Sequence, residues 1–364
     1  MIVLNLKLDK IYGFRNFEID FSYPKKIVNS VIPEEHLKER ERFRYKKAVI
    51  LMGANATGKT SIGKALSRII RYLNTDDINA LSDLLIVERS SFSIDFVNEE
   101  YVLHRLCVEG HENGEVLVYR YFTSTIEKMD SYEMCVNKLK DRTGEFIHAK
   151  EIRKLCGRIN ARFSYPEIEE TLLFKNTNKQ DLLLTFKAVI GALDPTLKDV
   201  VLSNDLKDTF IIRRGHQEII IQQGKLLNRE VLSSGTIEGI DIAVFLAEMK
   251  SKEPCFYYCD ERFSHIQSNL EQRLFGIMLS RIPENGQLIF TTHNTDMLDL
   301  NLPKHTYVFL RKQLEDGEYK ISAISASEYL KRNTDSVRTA VENDVFNSLP
   351  DDSLLDLLEV EENA

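Results

Sequence analysis

The chain has 364 residues, 43% of them hydrophobic and 29% charged, with a formal net charge of -8 at pH 7. That length supports one large or two ordinary domains around a real core. The acidic balance argues against nucleic-acid binding over a broad basic surface, no apolar run reaches the length of a membrane span, and the five scattered cysteines, an odd number, fit reduced thiols in a cytoplasmic protein.

The N-terminal "MIVLNLKLDK" lacks a basic region followed by a long apolar stretch and a cleavage site, so it does not read as a signal peptide. "HLKERERFRYKK" (36–47) sets six Lys/Arg against two Glu. It reads as a solvated loop or helix face, with a phosphate-contacting patch as the alternative. "KAVILM" (47–52) is a short apolar run of the kind a buried parallel strand needs, and "SIGKALSRIIRYL" (61–73) repeats apolar residues at helical spacing. Four runs between 91 and 138, "SFSIDFV", "EYVLHRLCVE", "EVLVYRYF" and "SYEMCVNKL", read as strands, with "EGHENGE" (109–115) as a hairpin turn. Residues 149–200 read mainly as helix, including "KQDLLLTFKAVIGAL" (179–193), and 208–227 reads as a further hairpin. Cys255 and Cys259 lie four apart in an apolar run without a second pair, which suits buried core better than zinc. No sustained heptad separates Lys59 from Asp260, so a long coiled-coil arm is not expected there. After Arg338 there is no Lys or Arg, and five aliphatic residues sit among the acids of "PDDSLLDLLEVEENA" (350–364).

Gly53-Ala54-Asn55-Ala56-Thr57-Gly58-Lys59-Thr60, followed by Ser61, fits the phosphate-loop pattern G-x-x-x-x-G-K-[ST] without a mismatch, between the expected strand and helix. Glycines let the backbone curl so that several N–H groups face one phosphate, at the positive end of the following helix. In such a loop Lys59 reaches the β- and γ-phosphates of ATP and the Thr60 hydroxyl sits on Mg²⁺. Ser233, Ser234 and Gly235 open a second strongly periodic helix and offer a further anion seat. In "CFYYCDERF" (255–263) an apolar strand ends in Asp260-Glu261, an acid to support the metal and a base to polarise water. In "GQLIFTTHNTDML" (286–298) another strand leads to His293, where the imidazole could sense the γ-phosphate.

The order of these four features resembles the ABC-type ATPase head, in the branch that contains SMC, RecF and OLD-like proteins. "LKLDKIYGFRNFEIDF" (6–21) resembles that branch's opening hairpin. The match covers residues 1–75 and 225–325. "MGANATGKT", "LSSGT" and "LIFTTHNTDMLD" look most like the compact ATPases of bacterial anti-phage defence systems, of the PARIS AriA and Septu PtuA type. The resemblance implies an α/β fold: a mainly parallel core sheet flanked by helices, an antiparallel β lobe and a helical insertion. It divides the chain into a head over 1–325 and C-terminal helices with an acidic tail over 326–364. Within the head, 1–90 and 225–325 would be nucleotide-binding core, 91–148 antiparallel strands and 149–224 a mainly helical insertion and hairpin. It implies a slow ATPase using ATP and Mg²⁺, with Gly53 to Ser61 on the phosphates, Thr60 and Asp260 on the metal, Glu261 as base and His293 as switch. Ser233, Ser234 and Gly235 would act on the ATP of a second protomer, and Arg15 would approach the nucleotide. It further implies a homodimer or higher multiple, a separate effector protein, a phage protein or DNA as trigger, and no membrane. The alternative is a RecF-like repair ATPase that binds DNA directly, with 36–47 as its footprint. Two departures stand out. "RFSHIQ" (262–267) gives Ile266-Gln267 where the family often has Leu-Asp or Leu-His, and 91–105 offers no Q-loop glutamine.

Overall fold

The computed structural model describes residues 1–28, 30–110, 116–145, 153–154, 156–165, 177–197, 199–227, 229–251, 253–315, 317–332 and 334–350. Its centre is a six-stranded sheet in the order β10 (Ala161–Ser164), β15 (Phe256–Asp260), β16 (Gln287–Thr291), β5 (Ala48–Gly53), β17 (Tyr307–Glu315) and β18 (Glu318–Ser325). The first five run parallel, and β18 returns antiparallel on β17. Strands β15 and β16 are buried along their whole length and β5 along all but its last residue, which is why they read as continuous apolar runs rather than alternating ones. A second sheet, wholly antiparallel, has the order β2 (Phe17–Asp20), β1 (Ile2–Asp9), β6 (Ser91–Val97), β7 (Val102–Gly110), β8 (Val116–Thr125), β9 (Lys140–Asp141).

Strand β5 feeds two cores from its two faces. Val49 and Leu51 point to helix α1 (Lys59–Thr75) and onward to Leu6 and Leu8 of the antiparallel sheet. Ala48, Ile50 and Met52 point to the opposite core, with helices α3 (Lys179–Leu193), α4 (Ser234–Glu248) and α5 (Ser268–Arg281). The period-2 geometry of a strand makes that division automatic. The α3 helix begins where "KQDLLL" predicts, capped by Asn178, whose side chain accepts from the amides of Gln180 and Asp181.

Several expectations need correction. "SYEMCVNKL" is not a strand: Ser131 caps a short helix, α2 (Tyr132–Asn137), accepting from the Met134 amide. The opening hairpin β1–β2 belongs to the antiparallel sheet through pairing of β1 with β6, so the span 1–90 is shared between two sheets rather than being nucleotide core alone. Among its described residues, the stretch 149–224 holds strands as well as helix. It contributes β10, the edge strand of the parallel sheet, and most of a four-stranded sheet of β11 (Asp199–Leu202), β12 (Thr209–Arg214), β13 (Gln217–Gln222) and β14 (Lys225–Leu226). The basic run 36–47 is neither loop nor helix but a hairpin, β3 (His36–Leu37) and β4 (Arg40–Arg44), leading into β5. Beyond β18 come α6 (Ala326–Tyr329) and α7 (Val337–Glu342), while the acidic tail expected over 351–364 lies outside the described residues. Cys255 and Cys259 are buried in the core.

Candidate functional site

The phosphate-type loop joins the end of β5 to the start of α1, as strand, turn and helix in direct succession. Gly58 is the residue before the helix, with φ +95°, a conformation that disfavours any side chain. A Cβ there would also stand 2.5 Å from the ring of Phe14, the residue on which the loop rests. Thr57 ties the loop to itself, its hydroxyl donating to the Ala54 carbonyl at 2.8 Å. Lys59 is almost fully buried, and its ammonium donates to the carbonyls of Gly53 (2.8 Å) and Ala54 (3.2 Å). Gly53, Ala54, Asn55 and Thr57 border a cleft of about 780 Å³ that also takes in His293 and residues of β17, β18 and the segment 341–350. Ala56 holds a positive φ at the loop's crest, and Ser61 follows Thr60 in the first turn of α1.

From 200 residues further on, β15 brings Asp260 beside Thr60, whose hydroxyl donates to its Oδ2 at 2.6 Å. The parallel register sets Thr291 of β16 opposite Asp260, and the Thr291 hydroxyl donates to Oδ1 at 2.8 Å. Burial pushes the Asp260 carboxyl above the usual carboxylate range, against those two hydrogen bonds. Glu261 leaves the strand with φ +45°, its amide donating to the Thr291 Oγ1 at 3.0 Å. Its carboxylate lies 2.8 Å from His293 Nε2 and 3.5 Å from Lys59 Nζ. The hydrogen bond to His293 foremost, and then the charges nearby, hold the Glu261 carboxyl below its ordinary value; burial lowers the Lys59 ammonium. Tyr258 supports the group from below, donating to the Lys59 carbonyl at 2.5 Å.

The structure therefore brings together Lys59, Thr60, Asp260, Glu261 and His293. It does not bring Ser233, Ser234 or Gly235 into this hydrogen-bonded set. Ser233 caps α4, accepting from the Thr236 amide at 3.2 Å, and Gly235 packs so closely on the chain that a Cβ would stand 2.8 Å from the His265 carbonyl. Glu238, one turn along α4, takes two hydrogen bonds from His265, at 3.0 Å from its amide and 2.6 Å from Nδ1. Arg15 is paired with Glu318 of β18 at 3.2 Å. Phe14, Tyr258 and Thr291 escaped the sequence reading. Only the "TT" before His293 hinted at the last.

The donor set suits a phosphate and a divalent cation. Lys59 offers a cation to an anion seated on the loop, and Thr60 with Asp260 offers hard oxygen ligands converging within 2.6 Å. The fold is that of an SMC-type head domain. The chain is similar to a crystal structure of the SmcHead bound to the C-winged helix domain of ScpA, with 16% identity, 91% of this chain and 100% of that chain covered, and a TM-score of 0.54. It is similar also to the Smc head domain with an extended coiled coil bound to the C-terminal domain of ScpA derived from Pyrococcus furiosus, with 14% identity, 91% and 98% covered, and a TM-score of 0.52. No protein-family model matches the sequence, and no curated protein matches it.

Proposed function

We propose that the chain binds and hydrolyses ATP with Mg²⁺ and uses the cycle as a switch, two copies joining head to tail across ATP and separating after hydrolysis. The observation that carries this is the convergence of Lys59, Thr60, Asp260, Glu261 and His293 on one loop from three parallel strands and a helix start. Thr60 and Asp260 would hold Mg²⁺, which when bound would supply neutralisation of phosphate charge. Lys59 turns from its own loop carbonyls to the phosphate oxygens. Glu261, kept ionised by His293 and Lys59, accepts the proton of the attacking water, and His293 contacts the γ-phosphate. Ser233, Ser234 and Gly235 complete the site of a second copy.

At the cellular level, we assign this switch to anti-phage defence, holding and releasing a separate effector, a toxin or nuclease, after a phage protein or DNA acts as trigger. That reading rests on the resemblance of "MGANATGKT", "LSSGT" and "LIFTTHNTDMLD" to the compact defence ATPases. SMC heads that carry a bound second protein in their crystal structures support a partner-holding role. For the RecF-like alternative, part of the footprint the sequence offered is engaged within the chain, while Lys38 and Arg42 stand exposed. Lys46 and Lys47 are buried and donate to the carbonyls of Asp20 and Pro33, Arg40 lies 3.7 Å over the Tyr101 ring, Lys38 pairs with Glu284, and Arg44 donates to the Pro24 carbonyl.

Two variants test the enzyme reading. Lys59→Ala should lose nucleotide binding in calorimetry. Glu261→Gln should bind ATP normally while steady-state phosphate release falls about 10²–10⁴-fold, the range for loss of a general base. Wild-type turnover by Glu261→Gln would remove Glu261 from the role of base, and unchanged affinity of Lys59→Ala would remove the loop from nucleotide binding.

A further inference from the structure

A second cleft, of about 470 Å³, lies between the segment that follows β2 and the segments flanking β17 and α6. Its lining includes four lysines, Lys25, Lys26, Lys304 and Lys331, and no carboxylate, in a chain whose net charge is -8. Lys304 is engaged by the Arg332 carbonyl and lies 3.7 Å from Asp335, and Lys331 donates to the Ser327 carbonyl. Lys25 and Lys26 have no hydrogen bond or ion pair among the described residues. Between the lysines the lining is aliphatic, with Val28 67% and Val31 60% exposed. The floor is rigid. His305, nearly fully buried, hydrogen-bonds through Nε2 to the equally buried Glu35 at 2.6 Å, and the Tyr23 ring lies 4.3 Å from its own. A cleft with unpaired cations at the rim and open aliphatic surface between them selects an acidic peptide that carries aliphatic side chains. A bare phosphate would leave the valines wet, and an apolar ligand would strand the ammonium groups.

The chain itself holds such a peptide. Residues 351–364, "DDSLLDLLEVEENA", contain six Asp/Glu, five Leu/Val and no Lys or Arg. Pro350, the last described residue, lines the first cleft beside Gly53, and the chain just before it packs towards this one. Phe346 stacks on Phe309 at 4.3 Å and meets Tyr329 at 5.8 Å, and Tyr329 directly precedes Leu330 of the cleft lining. Fourteen further residues reach up to about 46 Å when extended. We propose that this cleft is the docking site of the chain's own segment 351–364, with carboxylates on Lys25, Lys26 and Lys331 and leucines over Val28 and Val31. The tether keeps the segment at high effective concentration, so modest surface ion pairs suffice to hold it. This inference does not depend on nucleotide chemistry.

The test uses the full-length protein with a benzophenone amino acid placed at Val31, irradiated and mapped by mass spectrometry. Crosslinks should fall within 351–364 and leave the protein at monomer mass. They should fade as salt rises, and disappear in Lys25→Glu/Lys26→Glu, whose folding is checked by an unchanged thermal midpoint. The same probe at Leu314, in the cleft beside Gly53, is the comparison. Crosslinks to the tail from Leu314 and not Val31 would place the segment elsewhere. Crosslinks appearing only at dimer mass would make it a second copy's segment. Persistence after the double charge reversal would remove the electrostatic basis. Each of those three results overturns the proposal.

Discussion

Glu261 adopts φ +45°, which costs a non-glycine residue about 1–2 kcal/mol. The compensation is visible in its two neighbours, His293 at 2.8 Å and Lys59 at 3.5 Å, which an extended continuation of β15 would not have placed on one carboxylate. The sequence singled out by local pattern residues that the structure brings together, the loop from Gly53 to Ser61 and the Asp260-Glu261 pair. It could not disclose Thr291 or Phe14, because their parts follow from the register of β15 on β16 and from the antiparallel sheet packing against the loop. One further residue makes a prediction unrelated to the site. His104 is buried between Phe96 and Tyr121, its Nδ1 2.5 Å from the Tyr121 hydroxyl, and burial pushes its pKa down to about 3. The folded state keeps this imidazole neutral where the unfolded chain takes up a proton near 6.5. Its contribution is therefore full above pH 6.5 and is lost as pH falls towards 3, at up to about 1.4 kcal/mol per unit. Urea unfolding of the wild type and His104→Phe across pH 7 to 5 should show the smaller pH slope in the variant; equal slopes would refute the assignment.

At the scale of elements, buried parallel strands and capped helices were legible, and mixed segments were not. β5, β15 and β16 could be read because burial on both faces leaves an unbroken apolar run, and α3 because Asn178 and the leucine spacing agree. "SYEMCVNKL" misled because six residues are too few for periodicity to separate helix from strand, so the Ser131 cap decided it. β10 is only four residues long and gains its identity by pairing with β15. Helix α4 carries a prediction of its own. Gly235 and Glu238 bind it to the His265 stretch of the same chain, while Ser233 caps its N-terminus and Ser234 stands exposed in its first turn, the proposed anion seat. If that seat serves a second copy, Ser234→Arg should bind ATP with unchanged affinity and fail to hydrolyse it. Mixing it with Lys59→Ala should then restore activity through one composite site, an intact loop facing an intact helix start. Wild-type turnover by Ser234→Arg alone would show that the helix start plays no part.

The molecule places its two largest described cores on opposite faces of one sheet, with the candidate site at the end where β5, β15 and β16 all finish. That is the edge where open α/β sheets gather ligands, since strand ends and helix starts leave unpaired backbone groups there. Among the described residues, the interval between α1 and β15 holds strands of up to ten residues and no helix longer than the 15-residue α3. In the proposed cycle the nucleotide sets the association of two copies and hydrolysis ends it. Glu261→Gln should then accumulate the paired state in ATP and Mg²⁺. Light scattering after size exclusion should give twice the 42.1 kDa protomer mass with ATP and the protomer mass without it. Adding Lys59→Ala to that variant should return the protomer, because the shared phosphate is no longer held. Ser234→Arg should do the same by blocking the opposing seat while the loop stays loaded. A Glu261→Gln protein that binds ATP yet stays at protomer mass at micromolar concentration would refute nucleotide-dependent pairing and leave each head to work alone.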